Sequence, residues 1–413
     1  MNNHKITSWY THNFYAMGSH INIWVELDDI DTAEEILQKA ESLFAKVETC
    51  LSRFNPDSEL SHLNNSHETW MPVSPVLWRV LNKAVQLAED TNGLFDPTLL
   101  NAMTEAGYTR SFEQLTDNVT DDDAVDVEDA SAYADSCAHE QLQHHQTVLT
   151  GRWKEISLDP MRYSVWLPEG VNIDLGGIAK GWTAQQAVAL LNQWGPCLVD
   201  AGGDLTAGDA PTTAGWAGWP VGVEKPYGYQ ADCICENGQH RTTQSSTANE
   251  STANNAQNDE VSDEESLFRL WLANCTLATS GVDYRRWQNN GQNTHHIIDP
   301  RSGRPAQTDL LIVSVLAPDA SCAEAWATAA IVAGSRDGYQ LLSQENIAAA
   351  FVQNKSIKIC QANHDGQIGR DDEGYDGEKN SAYHMIVNNH DASCSHNTLH
   401  LTPTMLPFVH IEA

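Results

Sequence analysis

In "NIDLGGIAKGW", Asp174 closes an apolar run, Gly176 and Gly177 follow, and Lys180 falls in the first turn of the helix that the next residues predict. This is no dinucleotide fingerprint, because GxGxxG is missing. It is no GxxxxGK[ST] phosphate loop either, because no Ser or Thr directly follows the lysine. Related physics still applies. Paired glycines let a backbone approach a ligand closely. Free N–H groups at a helix start favour an anion, and an ammonium one turn in adds a point charge for a phosphate. Asp174 would be repelled by that phosphate and suits a donor on a ribose or base, or a place beside a metal. The plain alternative is tight strand–helix packing with Lys180 as a solvated charge.

Three further junctions carry polar groups. In "VDAGGDLTAGD", Gly202 and Gly203 again leave a strand that ends in an acid, Asp200. In "SCAEAWATAA", Glu324 and Thr328 are four residues apart and share one helix face. A carboxylate and a hydroxyl so placed suit Mg²⁺, a hard cation that prefers oxygen, although an early glutamate also complements the helix dipole. In "HHIIDPRSGRP", Asp299-Pro300 opens a turn. His295 and His296 are adjacent on a strand and point to opposite faces, so they do not chelate jointly; one is structural and the other is free to face a ligand. His390, Cys394, His396 and His400 near the C-terminus match no standard zinc spacing.

The elements that would position these groups follow from periodicity. Ser19–Leu27 alternates as a strand, and Ile36, Leu37, Ala40, Leu43, Phe44 and Val47 predict a helix capped by Asp31 or Thr32. A second helix runs through 74–93 and ends at Gly93 as its C-cap. Residues 151–175 read as strands, the last feeding the Asp174 junction. A helix from Ala179 presents Ala184, Ala187, Val188, Leu191 and Trp194. A strand with a glycine-rich exit then follows over 197–209, strands at 219–226 and 267–281, another at 309–318, a helix at 321–342 and late strands at 348–353 and 356–361. Irregular alternation of this kind predicts α+β rather than a doubly wound parallel sheet.

The chain has 413 residues, 41% of them apolar, enough for a sizeable core. Two polar insertions, about 117–146 and 238–266, bury too little apolar surface to offset ordering entropy and are expected to be disordered. The second lies between strand patterns and reads as an overgrown hairpin tip. Residues 361–413 read as a polar C-terminal extension of a domain over 1–360. A net charge of −33 disfavours nucleic acid, and would repel a free nucleotide unless local cations or helix N-termini offset it. No apolar run reaches membrane-spanning length, no export signal is visible, and nine scattered cysteines without a CxxC fit a reducing compartment, so the expected location is cytoplasmic.

The order of the motifs adds a resemblance. "AMGSHINI", "LSRFNPDSELSHLN", "GLFDPTL", "NIDLGGIAKGW", "VDAGGDL", "ATSG", "HHIIDPRSGRP" and "AEAWATAAIVAG" stand in the order in which the FAD:protein FMN transferase (ApbE) family carries its motifs, over about Tyr15 to Phe351. The resemblance implies an ApbE-like fold. It also implies transfer of FMN from FAD, with Mg²⁺, to a Thr or Ser of an acceptor protein, releasing AMP. By motif, Met17, Phe54, Leu94, Phe95, Asp96, Asp174, Lys180 and Ile298 would bind FAD, with Asp96 at polar edges of adenine. Gly177, by its carbonyl, and Glu324 and Thr328 would hold the metal, and Lys180, Glu324 and Thr328 would carry the catalysis. The family usually has Tyr at the position of Phe54 and Asp at that of Glu324, one methylene shorter. The alternatives are a flavin carrier that holds FAD intact and a pyrophosphatase that yields FMN and AMP.

Overall fold

The computed structural model describes residues 7–112, 150–213, 215–226, 266–289, 291–354, 398–405 and 409–410. The chain opens with β1 (Ser8–Ala16) and β2 (Ser19–Leu27), joined through Met17 and Gly18, both at positive φ as a two-residue hairpin requires. Helix α1 (Ile30–Leu51) starts earlier than the sequence suggests: its cap is Asp29, not Asp31 or Thr32, and it accepts from the Thr32 amide. After α2 (Glu59–Asn64) and the short β3 (Met71–Pro72), Ser74 caps α3 (Pro75–Asp90). Asn92 and Gly93, both at positive φ, end that helix, and the Gly93 amide returns to Ala88 O at 2.7 Å. Then come α4 (Leu100–Glu105), β4 (Ser157–Asp159) and β5 (Ser164–Trp166), the last two completing a small sheet with β3.

The second half supplies α5 (Ala179–Leu191), β6 (Cys197–Ala201), β7 (Leu205–Ala207), β8 (Trp219–Glu224), β9 (Ser266–Leu272) and β10 (Thr276–Gly281). There follow β11 (Arg286–Asn289), β12 (Gln292–His295), β13 (Ile298–Asp299), β14 (Arg304–Pro305), β15 (Leu310–Ala317), α6 (Ala320–Gln344) and β16 (Ala348–Gln353). Last are β17 (Thr398–Leu401) and β18 (Val409–His410). The main sheet has eight strands in the order β1-β2-β6-β7-β10-β15-β16-β17, and every neighbouring pair is antiparallel. The fold is α+β.

Alternation along the central strands explains three layers. Val313 and Val315 of β15 pack with Ala323, Trp326 and Ala327 of α6. Ile312 and Leu316 turn the other way, to Trp219, Val221 and Phe268 of the β18-β9-β8 sheet. Helices α1 and α5 cover the β1-β2-β6 end, where Ile21, Ile23, Phe44, Ala187 and Val199 are buried together. Strands buried on both faces read as apolar runs rather than clean alternation, which is what "LLIVSVLA" shows.

Four expectations need correction. Residues Val171–Leu175 form no ladder; the side chain of Asn64 pairs with Ile173 instead, accepting from its amide at 2.7 Å and donating to its carbonyl at 2.9 Å. A side chain thus does the work of a neighbouring strand. Trp194 is 54% exposed, and the buried stripe of α5 ends at Leu191. Helix α6 breaks at Gly334, whose φ of 82° no helix allows. The chain after residue 360 includes an edge strand, since β17 pairs with β16. The insertion 117–146, residues 238–265 of the second, the late strand 356–361 and residues 361–397 lie outside the described residues. Strands β8 and β9, on either side of the second insertion, do pair as a hairpin. Among the described residues no helix is long and apolar enough to cross a membrane.

Candidate functional site

Helix α5 begins without a side-chain cap of its own. Its first-turn amides therefore need an acceptor from elsewhere, and Glu324 of α6 provides one: Gly181 N donates to Glu324 Oε2 at 3.0 Å. Position 181 must be glycine for this approach, since a Cβ there would stand 2.5 Å from that oxygen. The other carboxylate oxygen, Oε1, meets Lys180 Nζ at 3.0 Å. Lys180 Nζ also meets Asp204 Oδ2 at 2.7 Å, so one ammonium bridges two carboxyl groups.

Asp204 leaves the Gly202–Gly203 turn between β6 and β7, and its Oδ1 accepts from Thr279 N of β10 at 3.1 Å. One turn along α6 from Glu324, Thr328 Oγ1 lies 3.1 Å from Ser280 Oγ, again of β10. Four elements thus deliver an ammonium, two carboxyl groups and two hydroxyls to one place.

The electrostatics are those of a buried cluster short of positive charge. Asp204 and Glu324 are only 5% and 4% exposed. Burial pulls the Lys180 ammonium down, but Asp204 and Glu324 outweigh it and hold the group above its ordinary value. Glu324 is pushed up to about 8, by burial first, with Lys180 opposing and the Asp204 charge adding. Asp200 also rises through burial, against hydrogen bonds from Gly203 N and Asn22. His296 is held neutral, well below its usual value, by burial and then by Arg285, His295 and Lys180; its Nδ1 is buried without a hydrogen-bond partner. His295, the last residue of β12, instead bonds Ala306 O at 3.0 Å, whereas His296 lies just past the strand.

The donors are hard oxygens, the chemistry of Mg²⁺. Among the described residues no three Asp, Glu, His or Cys side chains form a cage. A second positive centre would relieve a carboxyl pair that has only one ammonium.

At the other end of the junction, Asp174 Oδ2 meets Arg53 Nε at 2.6 Å. The Arg53 guanidinium lies over the rings of Phe54 and Tyr108, at 4.1 and 4.7 Å, and donates to Tyr108 O. A cavity of about 350 Å³ opens here, lined by Arg53, Phe54, Asn64, Asn101 and Asn172 among others. Phe95 is buried and lies against Gly177, where a Cβ would stand 3.1 Å from its ring.

Of the remaining sequence candidates, Met17 sits at the β1–β2 turn and is partly buried between two core clusters. Leu94 packs against the α6 cluster, and Ile298 is buried with Leu99 and Ala102. Asp96 accepts from Thr98 N, Thr98 Oγ1 and Gly151 N, so its carboxylate already ties three groups of the fold. Sequence reasoning missed Asp204, Ser280 and Arg53. Asp204 stood in the same "VDAGGDL" as Asp200, and only the turn geometry separates the acid at the cluster from the one that braces the turn.

The ApbE family model matches residues 17–351. A FAD:protein FMN transferase of Treponema pallidum is 28% identical over 328 residues, which is 76% of either chain. One from Salmonella typhimurium is 22% identical, covering 82% of this chain and 83% of its own. Among solved structures, the ApbE protein of Thermotoga maritima superposes with a TM-score of 0.62 at 23% identity, over 84% of this chain and 94% of that one. The flavin transferase ApbE of Vibrio cholerae gives 0.61 at 19%, over 98% of this chain and all of its own.

Proposed function

Because the chain belongs to the ApbE family, we propose that it is a FAD:protein FMN transferase that works with Mg²⁺, moves FMN from FAD onto a Thr or Ser hydroxyl of an acceptor protein and releases AMP. The observation that carries this reading is the convergence of Lys180, Asp204, Glu324, Thr328 and Ser280 at the start of α5.

Breaking a diphosphate requires charge neutralisation on the oxygens in flight and on the departing nucleotide. Mg²⁺, when bound, supplies Lewis-acid charge there. Glu324, Thr328 and the Gly177 carbonyl are the proposed ligands. Lys180 and the start of α5 meet the diphosphate. Arg53 orients Asp174 and Phe54, which, with Met17, Leu94, Phe95, Asp96 and Ile298, form the FAD side of the cleft. The acceptor hydroxyl must lose a proton as its oxygen attacks. We assign this proton to His296 Nδ1, which is buried without a hydrogen-bond partner.

The test is an incubation of purified protein with FAD and Mg²⁺, with and without an acceptor bearing the target Thr. AMP together with a fluorescent acceptor band is expected. AMP without label would make the protein a pyrophosphatase, and bound FAD with no AMP a flavin carrier.

A further inference from the structure

Lys180 does not stand free to meet a phosphate. Its Nζ is already between Asp204 Oδ2 and Glu324 Oε1, at 2.7 and 3.0 Å, on side chains almost removed from water. Any cation that uses both of these oxygens must take the place of Nζ. An ammonium so displaced cannot be left buried and unpaired without a large desolvation cost. It needs another anion within reach of its stem, and the diphosphate proposed above is one.

We propose that Lys180 is the resident counter-ion of the Asp204–Glu324 pair, that Asp204 joins Glu324 in holding the divalent cation, and that Lys180 passes from the carboxylates to the diphosphate when metal and dinucleotide bind together. The inference rests on the metal site of the proposed transferase and adds two things to it: a further ligand, and cooperative binding of metal and dinucleotide. Metal without dinucleotide must strand the ammonium, and dinucleotide without metal must compete with two carboxylates for it. Each therefore strengthens the other, by reciprocal linkage. Helix α5 stays fixed through the exchange, because Gly181 N keeps its bond to Glu324 Oε2, the oxygen that Lys180 does not use.

The decisive measurement is Mn²⁺ binding by electron paramagnetic resonance, first with no flavin present. Lys180→Met should bind Mn²⁺ at least tenfold tighter than the wild type, and adding FAD should improve its affinity by a smaller factor than in the wild type. An unchanged or weaker Mn²⁺ affinity in Lys180→Met overturns the proposal, since a lysine that only meets phosphate leaves metal affinity alone. In the Lys180→Met background, Asp204→Asn should lose at least tenfold in Mn²⁺ affinity; no loss removes Asp204 from the ligand set. Glu324→Gln separates the two levels of argument. If it abolishes Mn²⁺ binding while Lys180→Met matches the wild type, only the counter-ion exchange fails. If it leaves Mn²⁺ binding intact, the metal is held elsewhere and the site reading fails as well. Should Lys180→Met not fold, amine footprinting of the wild type decides. Lys180 should be protected from reductive methylation, become reactive with Mg²⁺ alone, and be protected again with Mg²⁺ and FAD. Reactivity that ignores Mg²⁺ overturns the exchange.

Discussion

Glu26 and Glu324 are both buried glutamates, 1% and 4% exposed, yet the fold drives their carboxyl groups in opposite directions. Burial pushes Glu26 up, but Thr7 Oγ1, Thr212 Oγ1, Thr212 N and Thr213 N all donate to it, and together they bring it down to about 2. Glu324 has one backbone donor and half of an ammonium, with Asp204 close by, and rises to about 8. Depth and donors together separate them: Glu26 is saturated by four donors and pins the 212–213 loop to β2, whereas Glu324 lies deeper, has one backbone donor and is left wanting positive charge. Asp96 has three donors and is still raised, because burial outweighs them; its carboxylate is already engaged by Thr98 and Gly151 N.

The largest expected effect tests the starved member of the pair. Glu324→Gln keeps the shape and an acceptor for Gly181 N but removes the charge, and should lower AMP release by about 10³-fold, the usual scale for losing a preorganised charge at a reacting phosphate. Glu324→Asp should keep more activity than Glu324→Gln because the charge survives on a shorter arm. Turnover of Glu324→Gln within a few-fold of the wild type would make Glu324 another Glu26.

The saturated member predicts stability rather than activity. Glu26→Ala should cost about 1–3 kcal/mol in urea unfolding, the scale of leaving buried donors unpaired. A depressed carboxyl stabilises above its unfolded value and loses that contribution as pH falls from about 4.5 to 2, so acid unfolding in this window should be shallower in Glu26→Gln. Glu324 has the opposite sign. With EDTA present, its raised value makes the folded protein lose stability as pH climbs from about 4.5 to 8, and Glu324→Gln should flatten that slope. Equal slopes in both variants and the wild type would dissolve the contrast.

A smaller effect is expected at Gly181. In Gly181→Ala the new methyl would meet Glu324 Oε2 at 2.5 Å, and the acid must move off the helix start. A loss of about 1–2 kcal/mol of stability, the scale of an N-cap, is expected. Mg²⁺ dependence should shift with it, because the same carboxylate is displaced. A melting curve and a Mg²⁺ titration of AMP release together show whether the two losses travel as one.

How much of this was legible in the sequence depended on how local each cause was. The α+β class, β2, α1, α3, β15 and α6 announced themselves by periodicity, and Lys180, Glu324 and Thr328 by type and position. Asp204 and Ser280 did not, because their importance lies in which strand brings them beside α5 and α6. Residues 171–175 misled because an extended apolar run looks like a strand whether its partner is a backbone or the amide of Asn64. Trp194 misled because helical spacing marks a face without saying where the core stops.

Ser280 gives the finest test of what separates the two glutamates' surroundings. Its Oγ is 3.1 Å from Thr328 Oγ1, and the neighbouring Thr279 holds Asp204 through its amide and Ser314 through its hydroxyl. Ser280→Ala removes one hydroxyl and leaves the backbone of β10 as it is. If that hydroxyl only fills space, the variant should lose about 1 kcal/mol or less of stability and nothing else. If it aims Thr328 at the cation, the same small energy, roughly fivefold, should appear in the apparent Mg²⁺ affinity while the KM for FAD stays put. Thr328→Ser should then behave as the wild type and Thr328→Val as a stronger Ser280→Ala, because what is shared between the two side chains is the hydroxyl pair and not the methyl. A loss of FAD affinity with Mg²⁺ dependence unchanged would place the Ser280–Thr328 pair on the nucleotide side of the cleft and leave Glu324 without its hydroxyl partners.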